Sequence, residues 1–129
     1  MAGYSGTPLI RKLGFAPGMV VRLTAPPADY LSWLGGAEGV AFDGSATGAG
    51  AAHVFLHAPA NLPLIPGALA ALAPGGMLWL SWAKKSSPLH AGITEDSLRD
   101  AVLPLGWVDV KVCAVSADWS GLKFLRRRR

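Results

Sequence analysis

Six short apolar runs constrain this chain more than any other feature. They read "MVVRL", "GVAFD", "HVFLH", "MLWLSW", "WVDVKVCAVS" and "LKFLRR". Runs of this length, rich in β-branched and aromatic residues and bounded by Gly, Pro and Asp, are strand signals. Helical patterns separate most of them. One begins near Asp29 and stops at Gly35 and Gly36, with Leu31 and Leu34 as its inward stripe and Tyr30 and Trp33 flanking. A second begins near Pro66 and stops before Pro74. The third, "TEDSLRDAVLPLG", has Thr94 as N-cap and Glu95 and Asp96 in its first turn, where negative charge suits the helix dipole. Leu98, Ala101 and Val102 form its apolar face, and Pro104 and Gly106 end it. Residues 1–17 read as a loop with one helical turn from Pro8 to Leu13, closed by Gly14. "GSATGAGAA" reads as a flexible connection.

The resulting order is β-α-β-β-α-β-α-β-β. Strands alternating with helices imply a mostly parallel sheet with right-handed crossovers, and the last two strands form an antiparallel hairpin at one edge. The expectation is one α/β domain over residues 1–129, a three-layer sandwich. Numbered along the chain, its strands take the order 2-1-3-4-6-5 with strand 6 antiparallel. Composition agrees: 51% of the residues are hydrophobic and only 16% charged, as strands covered on both faces require.

The formal charge of +4 is carried by the tail. Of the twelve Lys and Arg, four are Arg126 to Arg129, and the remaining eight face eight Asp and Glu. Such a body does not look like a nucleic-acid groove, although the basic tail 126–129 can touch phosphates non-specifically. The single cysteine, Cys113, lies in an alternating stretch and reads as a small buried hydrophobe. Neither an apolar leader near Met1 nor a bilayer-long apolar run is present, so a cytoplasmic protein is expected, with no membrane partner.

"ALAALAPGGMLWLSW" resembles the helix-turn-strand of class I S-adenosylmethionine-dependent methyltransferases, "KLGFAPGMVVRL" looks like their entry to the first strand, and the final hairpin is similar to their last strands. More closely, "AGYSGTPLIRKLG", "SWAKKSS" and "VDVKVCAVSADWSGLKF" resemble a family of small bacterial proteins of unknown function with a methyltransferase-like fold. The resemblance implies a reduced methyltransferase-like Rossmann sheet. It also implies that Asp43 stands where methyltransferases bind the ribose hydroxyls. One departure stands out. Those enzymes follow the first strand with a glycine-rich turn, and here that place holds "TAPPAD". Pro26 and Pro27 lack amide hydrogens, so the turn cannot cradle a cofactor in the family's manner.

Ligands of open parallel sheets sit beyond the carboxyl ends of the strands. Those ends are Thr24, Asp43, His57 and the run from Trp82 to Ser87. Lys84, Lys85, Ser86 and Ser87 form the foremost candidate cluster, since ammonium and hydroxyl donors bind phosphate or carboxylate oxygens. Trp82 and Trp119 are candidate pocket walls, whereas mid-strand Trp79 belongs to the core. His57 is the candidate acid or base; His53 shares its face, but two histidines make no metal site, and His90 reads as plain surface. The expected function is a binding module for a small anionic ligand or a protein partner, with no metal, no cofactor and room for homo-oligomerisation. The alternative is a divergent S-adenosylmethionine-dependent methyltransferase.

Overall fold

A computed structural model describes residues 7–128. The first six residues of the expected N-terminal loop and Arg129 of the tail lie outside the described residues. The chain forms one six-stranded sheet in the order β2-β1-β3-β4-β6-β5. The strands are β1 (Val20–Thr24), β2 (Ala41–Phe42), β3 (Ala49–Leu56), β4 (Leu72–Ala83), β5 (Trp107–Ala114) and β6 (Trp119–Arg126). Strands β1 to β4 run parallel, and β6 is antiparallel to both β4 and β5. The expected order and the reversed strand are both observed.

Two layers cover the sheet. On one face, α1 (Leu9–Leu13) and α2 (Tyr30–Leu34) close a core that includes Leu13, Leu34, Phe55 and Trp79. On the other, a 3₁₀ turn (Pro59–Leu64), α3 (Ile65–Ala70) and α4 (Glu95–Val102) cover Val54, Leu80, Leu122 and Phe124. Alternation along β3 divides it between the faces: Ala51, His53 and Phe55 point one way, Ala52, Val54 and Leu56 the other. Fully burying side chains such as Leu80 and Phe124 contributes roughly 1.5–3 kcal/mol each. Trp79 joins the layers, because its indole N–H donates to the Leu13 carbonyl at 2.8 Å.

Three local expectations are corrected. "AGAA" is the first half of β3 rather than a flexible connection, and Ala49, Ala51 and Ala52 are buried. Pairing with β1 and β4 on both sides overrides the poor strand propensity of Gly and Ala, and small side chains suit the close approach. A Cβ on Gly50 would stand 3.3 Å from the Met19 methyl. In α2 the inward residues are Tyr30 and Leu34, while Leu31 is 61% exposed. The helix is five residues long, and the buried hydrogen bond from Tyr30 decides which face turns in. Finally, β4 begins five residues before Met77. Leu72 pairs with Ala49, then Ala73–Gly76 bulge out before Met77 rejoins opposite Ala51. Gly75 turns that bulge at φ +81°, where a side chain would be strained.

Other expectations hold. Gly14 closes α1 in the left-handed conformation. Thr94 caps α4: its Oγ1 accepts from the Ser97 amide at 3.2 Å, and Ser97 Oγ accepts from the Thr94 amide at 2.9 Å. Leu98 and Val102 of α4 are fully buried.

Candidate functional site

The carboxyl ends of the parallel strands offer two places for a ligand, one where β1 and β3 diverge and one beyond β4. At the first, β1 leads from Thr24 into Ala25, whose φ of 54° is left-handed. A non-glycine residue there is costly unless neighbours hold it. His57, just past β3, donates from Nε2 to the Ala25 carbonyl at 2.8 Å. The carbonyl can only accept, so the proton sits on Nε2. The His57 backbone amide in turn donates to Asn61 Oδ1 at 2.8 Å, and its ring lies 5.0 Å from that of Trp119. The side chain expected to be an acid or base is therefore engaged as a bridge across the divergence.

Behind this bridge, His53 is wholly buried between Tyr30 and Ser81, with Nδ1 2.9 Å from the Tyr30 hydroxyl and Nε2 2.7 Å from Ser81 Oγ. Burial lowers its pKa to about 3, so the ring is neutral. Burial likewise pushes the Tyr30 phenol up. All three groups point into the core.

Asp43 follows β2 and is exposed. Its Oδ1 accepts from the Ser45 amide and the Ser45 hydroxyl, both at 2.8 Å, and these bonds hold its pKa below the usual carboxylate value. A hollow of about 270 Å³ opens beside it, lined by Arg22, Thr24 and Gly44 and by Pro63, Leu64 and Gly67 across from them. The Arg22 guanidinium is turned to the Ala46 carbonyl at 2.7 Å.

Beyond β4 lies a cleft of about 530 Å³ between the strand end and the N-terminus of α4. Trp82 and Ile93 supply its apolar floor, and Lys85, His90 and Thr94 line its walls. Glu95, Asp96 and Arg99 complete it. Arg99 is engaged by three carboxylates: Nε donates to Asp109 at 2.9 Å, Nη1 to Asp96 at 3.2 Å, and Nη2 to Glu95. Lys85 is exposed and has no carboxylate within 4 Å among the described residues. His90 donates from Nδ1 to the Ala83 carbonyl at 3.1 Å, and its Nε2, the acceptor of the ring, has no partner among the described residues. The amides of Glu95 and Asp96, in the first turn of α4, have no intrahelical acceptor. Lys85 and the two first-turn amides thus stand as donors around an apolar floor.

The expected cluster is divided by the fold. Lys85 and Trp82 line the cleft. Lys84 instead clamps the β5–β6 turn, with Nζ donating to the Ser116 carbonyl at 3.0 Å and its amide to the Asp118 carbonyl at 2.8 Å. Ser87 is buried in the following turn, its Oγ accepting from the Leu89 amide at 3.0 Å, and Ser86 is exposed outside the cleft lining. Trp119 cannot wall the same pocket as Trp82. The antiparallel register sets Trp119 opposite Ala83, one residue past Trp82, and so on the other face.

His90, Thr94 and Arg99 were not expected at a site. One signal could have found them. A helix following a parallel strand starts at the sheet's carboxyl edge, so the "TED" cap must stand near the end of β4. Cys113 is half-buried, and burial raises its thiol pKa, consistent with packing. Among the described residues no three His, Cys, Asp or Glu gather as a metal site, and no helix is long and apolar enough to cross a membrane.

No protein-family model and no curated protein sequence matches the chain. Solved structures do. A ribosomal protein L11 methylase from Lactobacillus delbrueckii subsp. bulgaricus superposes with TM-score 0.55 at 14% identity, over 92% of this chain and 75% of that one. A TehB-like SAM-dependent methyltransferase from Corynebacterium glutamicum gives 0.56 at 8% identity, over 98% and 91%. The 1,6-didemethyltoxoflavin-N1-methyltransferase of Burkholderia thailandensis, solved with its substrate and S-adenosylhomocysteine, gives 0.51 at 16% identity, over 93% and 75%.

The fold is methyltransferase-like. In this chain the place beyond β1 makes a left-handed turn at Ala25 that is followed by two prolines and bridged by His57.

Proposed function

We propose that this domain is a binding module that takes a small anionic ligand in the cleft beside Lys85. The observation that carries the reading is a cleft over Trp82 lined both by Lys85, which has no carboxylate within 4 Å among the described residues, and by the first turn of α4. Arg99, the other cation in the cleft, is paired with Glu95, Asp96 and Asp109, which leaves Lys85 and the first-turn amides to meet an anion.

The fold family implies S-adenosylmethionine, and the residues beyond β1 fit it poorly. Pro26 and Pro27 offer no amide hydrogens, the Ala25 carbonyl is taken by His57, and the Asp43 Oδ1 is taken by Ser45. A divergent methyltransferase is the second reading. The methyltransferase fold of its structural neighbours favours it.

A thermal-shift screen separates the two. Inorganic phosphate, pyrophosphate, nucleotides and S-adenosylmethionine are each tested against the chain and its Lys85→Ala variant. A ligand that binds the folded state raises Tm with the logarithm of its concentration above Kd. The first reading expects stabilisation by a phosphate-bearing ligand that is lost in Lys85→Ala. Calorimetry showing micromolar S-adenosylmethionine binding, insensitive to Lys85 and abolished by Asp43→Ala, establishes the second instead.

A further inference from the structure

By sequence the basic residues outside the tail are balanced, eight against eight. Folding separates them. Every ion pair among the described residues converges on Arg99, on the α4 side of the sheet. On the α1 side, three lysines converge with no carboxylate within 4 Å among the described residues. Lys111 of β5 and Lys123 of β6 are direct cross-strand partners. The Lys111 ammonium donates to the Lys12 carbonyl at the end of α1, at 2.9 Å. The Lys123 ammonium lies 3.9 Å from where a Cβ on Gly14, the next residue but one, would stand. Residues 1–6 contribute no Asp or Glu to the sequence.

Like charges directly opposite each other in a sheet are destabilising. The carbonyls at the end of α1 offset part of that repulsion. The remainder leaves an electropositive site, and β6 extends it. Arg126 ends β6 with its guanidinium over the Trp107 ring on the α4 side, and Arg127 and Arg128 follow it, exposed. Arg127 is held at the edge by its amide bond to the Gly106 carbonyl, at 2.8 Å. Lys123 to Arg127 spans about 13 Å at the rise of a strand. A nucleic-acid strand carries one phosphate per nucleotide, so a span of that length can meet more than one phosphate.

From this we infer that the face formed by Lys12, Lys111 and Lys123 with the Arg127–Arg128 end of β6 binds the phosphate backbone of nucleic acid without base specificity. Cations gathered on one face and continued by the end of the chain fit a polyanion. A membrane surface would want aromatic or long aliphatic side chains for insertion beside the cations, and the exposed apolar neighbours here are only Val110 and Val112.

The test is fluorescence anisotropy with a labelled 20-nucleotide single-stranded RNA, using the full chain between 50 and 200 mM KCl. Three to five phosphate contacts give a slope of log affinity against log salt of about −2 to −3.5. Lys111→Gln with Lys123→Gln should weaken binding at least about fivefold at 50 mM and make the slope shallower by about 1.4. Truncation after Arg126 should weaken binding without abolishing it. Far-UV circular dichroism and Tm establish that each variant is folded. If the double variant does not fold, Lys123→Gln alone, expected to make the slope shallower by about 0.7, carries the test. The inference is overturned by no binding at 50 mM, by lysine variants that leave binding unchanged, by truncation alone abolishing it, or by binding to phosphatidylserine vesicles but not to RNA.

Discussion

The buried His53 makes a quantitative prediction about acid stability. Its folded pKa, about 3, lies below the ordinary 6.5 because the ring has no access to water. Below pH 6.5 the unfolded chain takes up a proton that the folded chain refuses. Stability therefore falls as pH drops from 6.5 towards 3, at up to about 1.4 kcal/mol per pH unit. Between pH 6.5 and 4.5 the loss approaches roughly 2–3 kcal/mol, a large part of the 5–15 kcal/mol typical of a domain. The carboxylates with lowered pKa, Asp43 and Asp109, act in the same direction only below this window. Urea denaturation at half-unit pH steps measures the slope, and His53→Gln, which cannot titrate, should flatten it even if its absolute stability is lower. A stability unchanged between pH 6.5 and 4.5, or a His53→Gln slope equal to the parent's, refutes the reasoning.

Other outcomes follow from single contacts. Thr94→Ala removes the cap of α4 and should cost about 1 kcal/mol in chemical denaturation, with the cleft wall loosened beside it. Gly121→Ala should destabilise by about 1–3 kcal/mol, because its Cβ would stand 3.0 Å from Val115 and 3.1 Å from the Trp79 ring; an unchanged Tm contradicts the packing described. Lys85→Ala should leave Tm nearly unchanged, since the side chain is exposed and unpaired, and yet lose ligand-induced stabilisation.

The sheet order was legible because each parallel strand announces itself as an apolar run and every crossover but that from β2 to β3 as a helical pattern. The same logic failed at Ala49–Ala52, where pairing on both sides makes a strand of residues with little strand preference. Helix α2 was misoriented because a five-residue helix carries too little periodicity to choose its face; a hydrogen bond from Tyr30 to a histidine 23 residues away chooses it. At the site, position along the chain correctly brought Lys85 and Trp82 to the carboxyl edge. It could not tell that Lys84 turns to Ser116, because consecutive residues after a strand diverge according to a hairpin that arrives thirty residues later. Charge was least legible of all. Equal totals hid a fold that gathers carboxylates around Arg99 and leaves Lys111 facing Lys123.

The central claim is that ligand binds beyond β4 and not where β1 and β3 diverge. Amide chemical-shift mapping on isotopically labelled protein, titrated separately with pyrophosphate and with S-adenosylmethionine, tests it directly. Shifts with pyrophosphate at Lys85, His90, Thr94, Glu95 and Asp96, with no response to S-adenosylmethionine, are the predicted result. Shifts with S-adenosylmethionine centred on Ala25, Asp43 and His57, and none at Lys85 with pyrophosphate, would contradict it.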